Sequence, residues 1–187
     1  MEEEIKKSLD QAKTSMEKAV AHLQHELSKI KAGKAAPDML DSVKVNYYGT
    51  PTALSQVAAV STPDARTLAI KPWEKSMLKE IEIAIRNSDL GLNPQNDGEI
   101  VRINIPPLTE ERRKALVKQA KQEAEQGKVS IRNIRQESNK SLDALQKKGA
   151  AEDSVKKAQT KIQENTDAFI KKIDEILVAK EKDIMTV

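Results

Sequence analysis

Apolar residues recur at three- and four-residue steps along three long stretches of the chain. In the first, Ile5, Leu9, Ala12, Met16, Val20, Leu23, Leu27 and Ile30 fall on one face of a helix. Gly33 breaks that pattern and Pro37 prevents its return. The second begins after Pro106-Pro107, with Thr109 as a helix N-cap and Glu110 and Glu111 at the positive end of the helix dipole. Its stripe is Leu116, Ala120, Ala124, Gly127, Ile131, Ile134, Ser138, Leu142 and Leu145, and Gly149 terminates it. A continuous helix from Thr109 to Lys148 is about 60 Å long at a rise of ~1.5 Å per residue. Gly127 and Ser138 weaken the stripe, but small residues there permit close helix approach. The third stretch runs from about Glu152 to Asp183, with Val155, Ala158, Ile162, Phe169, Ile173, Ile176 and Leu177 on its apolar side. Asn165 and Thr166 interrupt that side.

Residues 32–106 follow a different rhythm. Val43 to Tyr48 alternates like a strand and is ended by Gly49-Thr50-Pro51. Val57–Ser61 and Thr67–Ile70 are further strands, separated by Pro63-Asp64, and Ile100–Ile105 is the last. Met77 to Arg86 has helical spacing, with Ile81, Ala84 and Ile85 apolar, while Gly91, Pro94 and Gly98 set turns.

Three helices with one narrow apolar stripe each bury those stripes together. The connection between the first two is long enough to be a domain. The expected fold class is therefore α+β: an elongated three-helix bundle, L-shaped overall, with a small β/α/β domain inserted between helices 1 and 2. Residues 1–31 and 107–187 form the bundle, and 32–106 form the insert. Both crossings lie close together, because the first helix must end where the second begins. Gly33 and Lys34 on one crossing, and Pro106 and Pro107 on the other, place hinges near 31–34 and 105–107.

Composition narrows the chemistry. Charged residues make up 33% of the chain, and only Trp73, Phe169, Tyr47 and Tyr48 are aromatic, which suits exposed helices better than a thick core. It also disfavours nucleic-acid binding by stacking on many aromatics. Cys is absent, so neither disulfides nor thiolate metal sites are available. Met1-Glu2-Glu3-Glu4 resembles neither a secretory signal nor a transit peptide, and no apolar run approaches the ~20 residues of a membrane span. A soluble, cytoplasmic, monomeric protein with no membrane association is expected. The net charge of +3 is small but unevenly distributed: residues 107–149 carry eleven positive and six negative side chains, while the remaining segments are neutral or slightly acidic.

No cysteine nucleophile, Gly-rich phosphate loop or HExxH pattern is present, so neither catalysis nor a cofactor is expected. His22 and His25 have i, i+3 spacing but no obvious third ligand, and no metal site is assigned. The basic side of the second long helix carries more information. Lys114, Lys118, Lys121, Lys128, Arg132 and Arg135, followed by Asn139, recur at helical steps broken only by Glu125. They form one band beside the apolar stripe, tens of Å long, matched in length to the phosphate backbone of a folded nucleic acid. Arg132 and Arg135 add planar forks for phosphates or bases. The competing reading is a solvated face that pairs with acidic residues on the third helix. Lys31 and Lys34 flank Gly33 and, with Lys29, make a second basic cluster, which also suits a helix C-terminus.

Four segments then resemble one family. They are Tyr47-Tyr48-Gly49-Thr50-Pro51-Thr52, Ser88-Asp89-Leu90-Gly91-Leu92-Asn93-Pro94, Pro106-Pro107-Leu108-Thr109-Glu110-Glu111-Arg112-Arg113 and Val129-Ser130-Ile131-Arg132-Asn133-Ile134-Arg135. In order and spacing they resemble the bacterial ribosome recycling factors, over essentially the whole chain. The resemblance implies a three-helix bundle with a hinged insert. It implies binding to the post-termination ribosome on large-subunit RNA, helped by Arg132 and Arg135. It further implies splitting of that ribosome into subunits, with release of mRNA and tRNA, together with elongation factor G, which hydrolyses the GTP. Where the family shows Arg-x-Gly-Arg at the hinge, this chain has Lys31-Ala32-Gly33-Lys34, and Gln136 stands where a further Arg is common. Two other classes compete with this reading. A coiled-coil structural or chaperone-like protein would use its stripes to bind partner helices, and an enzyme would use the insert.

Overall fold

The computed structural model describes residues 1–30 and 33–186. In chain order its helices are α1 (Glu2–Ser28), α2 (Leu54–Val57), α3 (Leu78–Arg86), α4 (Glu110–Lys147) and α5 (Glu152–Met185). Its strands are β1 (Lys44–Tyr47), β2 (Thr50–Ala53), β3 (Ala58–Asp64), β4 (Thr67–Pro72), β5 (Pro94–Asn96) and β6 (Val101–Asn104). The chain divides into two compact units, Met1–Ala32 with Glu110–Val187, and Gly33–Thr109. The class is α+β.

The first unit is a bundle of α1, α4 and α5. Each helix begins with carboxylates, Glu2 to Glu4, Glu110 and Glu111, or Glu152 and Asp153, where the positive end of the backbone dipole stabilises them. The stripes meet as their spacing predicts. Met16, Val20 and Leu23 of α1, Ala120, Ala124 and Ile131 of α4, and Ile162 and Ile173 of α5 are buried. Gly127 lies where the three helices converge. A Cβ there would stand 3.2 Å from Leu23 Cδ2 and 3.5 Å from Ile173 Cδ1. α4 ends at Gly149, whose φ of +105° is open to glycine and strained for most L side chains. Gly149 N–H donates to the Gln146 carbonyl at 3.0 Å and Ala150 N–H to that of Leu145 at 3.0 Å, satisfying the helix end.

Thr166 does not interrupt the third stripe as its polarity suggests. It is fully buried, and its hydroxyl donates to the Ile162 carbonyl one turn back at 2.8 Å, so no polar atom is orphaned. Ile184 is also buried, extending the stripe beyond Leu177.

The second unit has its own core, with Val45, Leu68, Ile70, Ile81, Ile85, Val101 and Ile103 at its centre. β1 and β2 form an antiparallel hairpin, and the other four strands form an antiparallel sheet in the order β3-β4-β6-β5. Three strands depart from the sequence reading. Thr50–Ala53, expected to end a strand, is β2, and Pro94, expected in a turn, opens β5. β3 continues through Pro63 to Asp64 by means of a bulge, where Pro63-Asp64 was expected to separate two strands. The reason is common to Pro63 and Pro94. β3 and β5 are the edges of the sheet, where a missing N–H breaks no ladder.

The turn between β3 and β4 gathers both ends of this unit. Ala35 N–H donates to the Ala65 carbonyl at 2.8 Å, and Ile105 N–H donates to the Arg66 carbonyl at 2.7 Å. Gly33 has a φ of +73°, and a Cβ there would lie 2.5 Å from Leu108 Cγ. Backbone angle and packing therefore both demand glycine at 33.

Candidate nucleic-acid interface

The cations of α4 lie beside its buried stripe, and three of them, Lys121, Lys128 and Arg135, reach residues of α5. Lys114, Lys118, Lys121 and Arg132 are exposed, whereas Lys128 and Arg135 are half-buried. The structure separates them by partner. Lys128 is in direct contact with Asp174 of α5, and its side chain keeps only 19% of its accessibility. Lys121 stands 3.7 Å from Glu181 of α5. Arg135 Nη1 donates to Gln163 Oε1 at 3.3 Å. Arg132 Nη1 reaches Glu125 on its own helix at 3.5 Å, and Lys114 reaches Glu110 at 3.5 Å. Lys118 makes no ion pair among the described residues.

The pairing reading holds for two of the lysines. Lys121 and Lys128 pair with acidic residues on the third helix, while Lys114, Lys118 and Arg132 present charge to solvent. Exposed pairs of this kind contribute about 0–1 kcal/mol each, so Arg132 and Lys114 are only weakly held by their carboxylates. Lys128 is the exception, because its side chain is largely covered and lies against Asp174.

Asp174, Glu181 and Gln163 escaped notice in the sequence. A signal for them existed. The short turn at Gly149 to Ala151 makes α4 and α5 an antiparallel hairpin, and every cross-pair straddles that turn almost symmetrically. Asp143, which accepts from Gln159 at 2.8 Å, completes the same ladder. At the other cluster, Lys34 is half-buried, Pro106 and Pro107 are exposed, and Lys31 lies outside the described residues.

The second unit carries a different surface feature. Tyr48 and Trp73 are 74% and 67% exposed. Tyr47 and Tyr48 meet edge to face with centroids 4.7 Å apart, and both hydroxyls donate to Glu74 at 2.8 Å. These bonds, Tyr48's first, hold the Glu74 carboxyl below its usual value. The carboxylate in turn raises both phenols above theirs. Among the described residues, no group of three or more His, Asp or Glu is arranged to hold a metal ion. No helix among them is long and apolar enough to cross a membrane.

The family described as ribosome recycling factor matches residues 23–185. This chain belongs to the ribosome recycling factor family. A ribosome-recycling factor of Amoebophilus asiaticus is 59% identical over 185 residues, covering 99% of this chain and all of that protein. That of Cytophaga hutchinsonii is 56% identical over the same share of both. Among solved structures, a ribosome recycling factor in solution is 34% identical, with a TM-score of 0.74 over 98% of each chain. A Thermus thermophilus ribosome recycling factor is 46% identical, with a TM-score of 0.60 over 97% of this chain and 99% of that one. The latter is described with Escherichia coli elongation factor G on the E. coli post-termination complex. For a ribosome recycling factor, the α4 band is the feature of this chain whose charge and length suit a polyanionic partner.

Proposed function

We propose that this chain binds the post-termination ribosome through ribosomal RNA. With elongation factor G and GTP, it promotes splitting into subunits and release of mRNA and tRNA. The carrying observation is the face of α4, on which Lys114, Lys118 and Arg132 remain exposed along a single long helix in a chain of this family. Counterion release from phosphates supplies the affinity, and the planar Arg132 guanidinium adds directed hydrogen bonds. Arg135, half-buried and held by Gln163, fixes the edge of that face, and the sequence adds Lys31 and Lys34 as further RNA-binding cations. The chain itself binds no nucleotide and catalyses no covalent step. It works in the cytoplasm as a monomer, and the crossings at Gly33–Lys34 and Pro106–Pro107 act as its hinge.

The test is light scattering of post-termination ribosomes mixed with this protein, elongation factor G and GTP. A fall in scattering that needs all three components is expected. Arg132→Ala should weaken ribosome binding and lower the salt dependence by about one phosphate contact, with helix content unchanged. No fall with the folded protein would remove the recycling reading. Unchanged affinity of the Arg132 variant across a salt series would remove the band as its anchor.

A further inference from the structure

The α4 band is flanked along one side by carboxylates of α5. Asp174 touches Lys128 and Glu181 approaches Lys121, so two of the six cations in the row have anionic partners on α5. These two carboxylates belong to a polar ladder that also contains Arg135–Gln163 and Asp143–Gln159, each a charged side chain against an amide. The two lysine rungs set opposite charges against each other, whereas the other two set a single charge against an amide. Rungs with a single charge also join these helices, so register alone does not require a carboxylate opposite each lysine.

We infer that Asp174 and Glu181 are affinity-setting residues, acting as built-in competitors of RNA phosphate for Lys128 and Lys121. This inference rests on the reading of the band as the RNA-binding face. A recycling factor must leave the ribosome after each round, so a band with every cation free would hold too long. The two carboxylates restrain it in two ways. They hold the lysine ammonium groups toward α5, and they place negative charge beside the path of the phosphates. The two rungs differ in strength. Lys128 is largely withdrawn from solvent, whereas Lys121 keeps 61% of its side-chain accessibility. Asp174 therefore removes Lys128 from the free cations more completely than Glu181 removes Lys121.

The experiment measures binding of the full chain to purified large ribosomal subunits across a salt series. Asp174→Asn should bind about threefold to tenfold more tightly at low salt, with a salt dependence steeper by about one contact. Glu181→Gln should move the same way by less, and its exposed pair makes it tolerable to the fold if Asp174→Asn melts early. In the double variant Lys128→Gln with Asp174→Asn, most of the gain should disappear, because the released cation is gone. Arg132→Ala serves as the control for the band itself. If it weakens binding while both carboxylate variants behave as the parent, the competition is refuted and the band stands. A double variant that keeps the whole gain refutes the competition as well, since negative charge alone then accounts for it. If Arg132→Ala also changes nothing, the band is not the RNA face, and the underlying reading has failed before the inference is reached.

Discussion

Glu74 is one carboxylate shared by two phenols, and its geometry fixes how each group titrates. Its folded value is depressed, so its contribution is present above the unfolded carboxylate value and is lost as pH falls through the folded one. The tyrosines are raised above their ordinary value of 10.0, so their contribution is complete below that value and is lost as pH rises through the folded ones. The arrangement is therefore intact across the neutral range. Because the chain has only two tyrosines, its tyrosinate absorbance reports this cluster alone. Glu74→Gln should bring both phenols back toward ordinary titration, and identical curves for parent and variant would show that Glu74 does not bind them in solution. The same site shows what single residues conceal. Tyr48-Gly49 reads as a turn, and the structure gives both residues a positive φ, at 48° and 88°. Asn or Asp commonly occupies the first such position, yet here it is Tyr, held by a hydroxyl contact to Glu74, which lies 26 residues away. No local pattern announces a partner at that separation.

Helices were the most legible elements because a buried stripe on a long helix repeats many times. α4 runs from Glu110 to Lys147, within one residue of the span its periodicity predicts at either end. The short strands were less legible, since β2 and β5 contain prolines whose tolerance depends on being at a sheet edge. The cations of the band could be read individually, but their partners depend on the register of α4 against α5. Gly127 ties that register to packing. Leu23 and Ile173 already fill the space where its side chain would be. Gly127→Leu should cost about 1–3 kcal/mol through overpacking. Gly127→Ala should change stability by less than about 1 kcal/mol, as better helix propensity offsets the tight approach to Leu23. Urea unfolding followed by far-ultraviolet circular dichroism would measure both. A leucine variant as stable as the parent would mean that the three helices separate easily at this level, leaving the ladder pairs as the only register device.

At the scale of the whole molecule, the proposed hinge requires each unit to hold together without the other. Each has the means. The bundle closes around residues such as Ile131 and Ile162, and the insert closes around Ile81 and Ile103, all without solvent exposure. The insert also secures its own chain ends, because Ala35 and Ile105 bond to adjacent carbonyls of one turn. The proposed motion would then fall in the chain between those bonds and the helices, which includes Gly33, Lys34, Pro106 and Pro107. Two separate cores predict two separate opening reactions. Ile81→Ala should destabilise the insert by about 2–5 kcal/mol and speed amide exchange in β4 and β6 by at least about thirtyfold. Exchange in the middle of α4 and α5 should stay at the parent rate. Ile131→Ala should do the reverse. If either substitution accelerates both units equally, the two cores unfold as one. A hinge between them would then have to bend a single cooperative structure, and force applied to the insert would unfold the bundle rather than swing the arm.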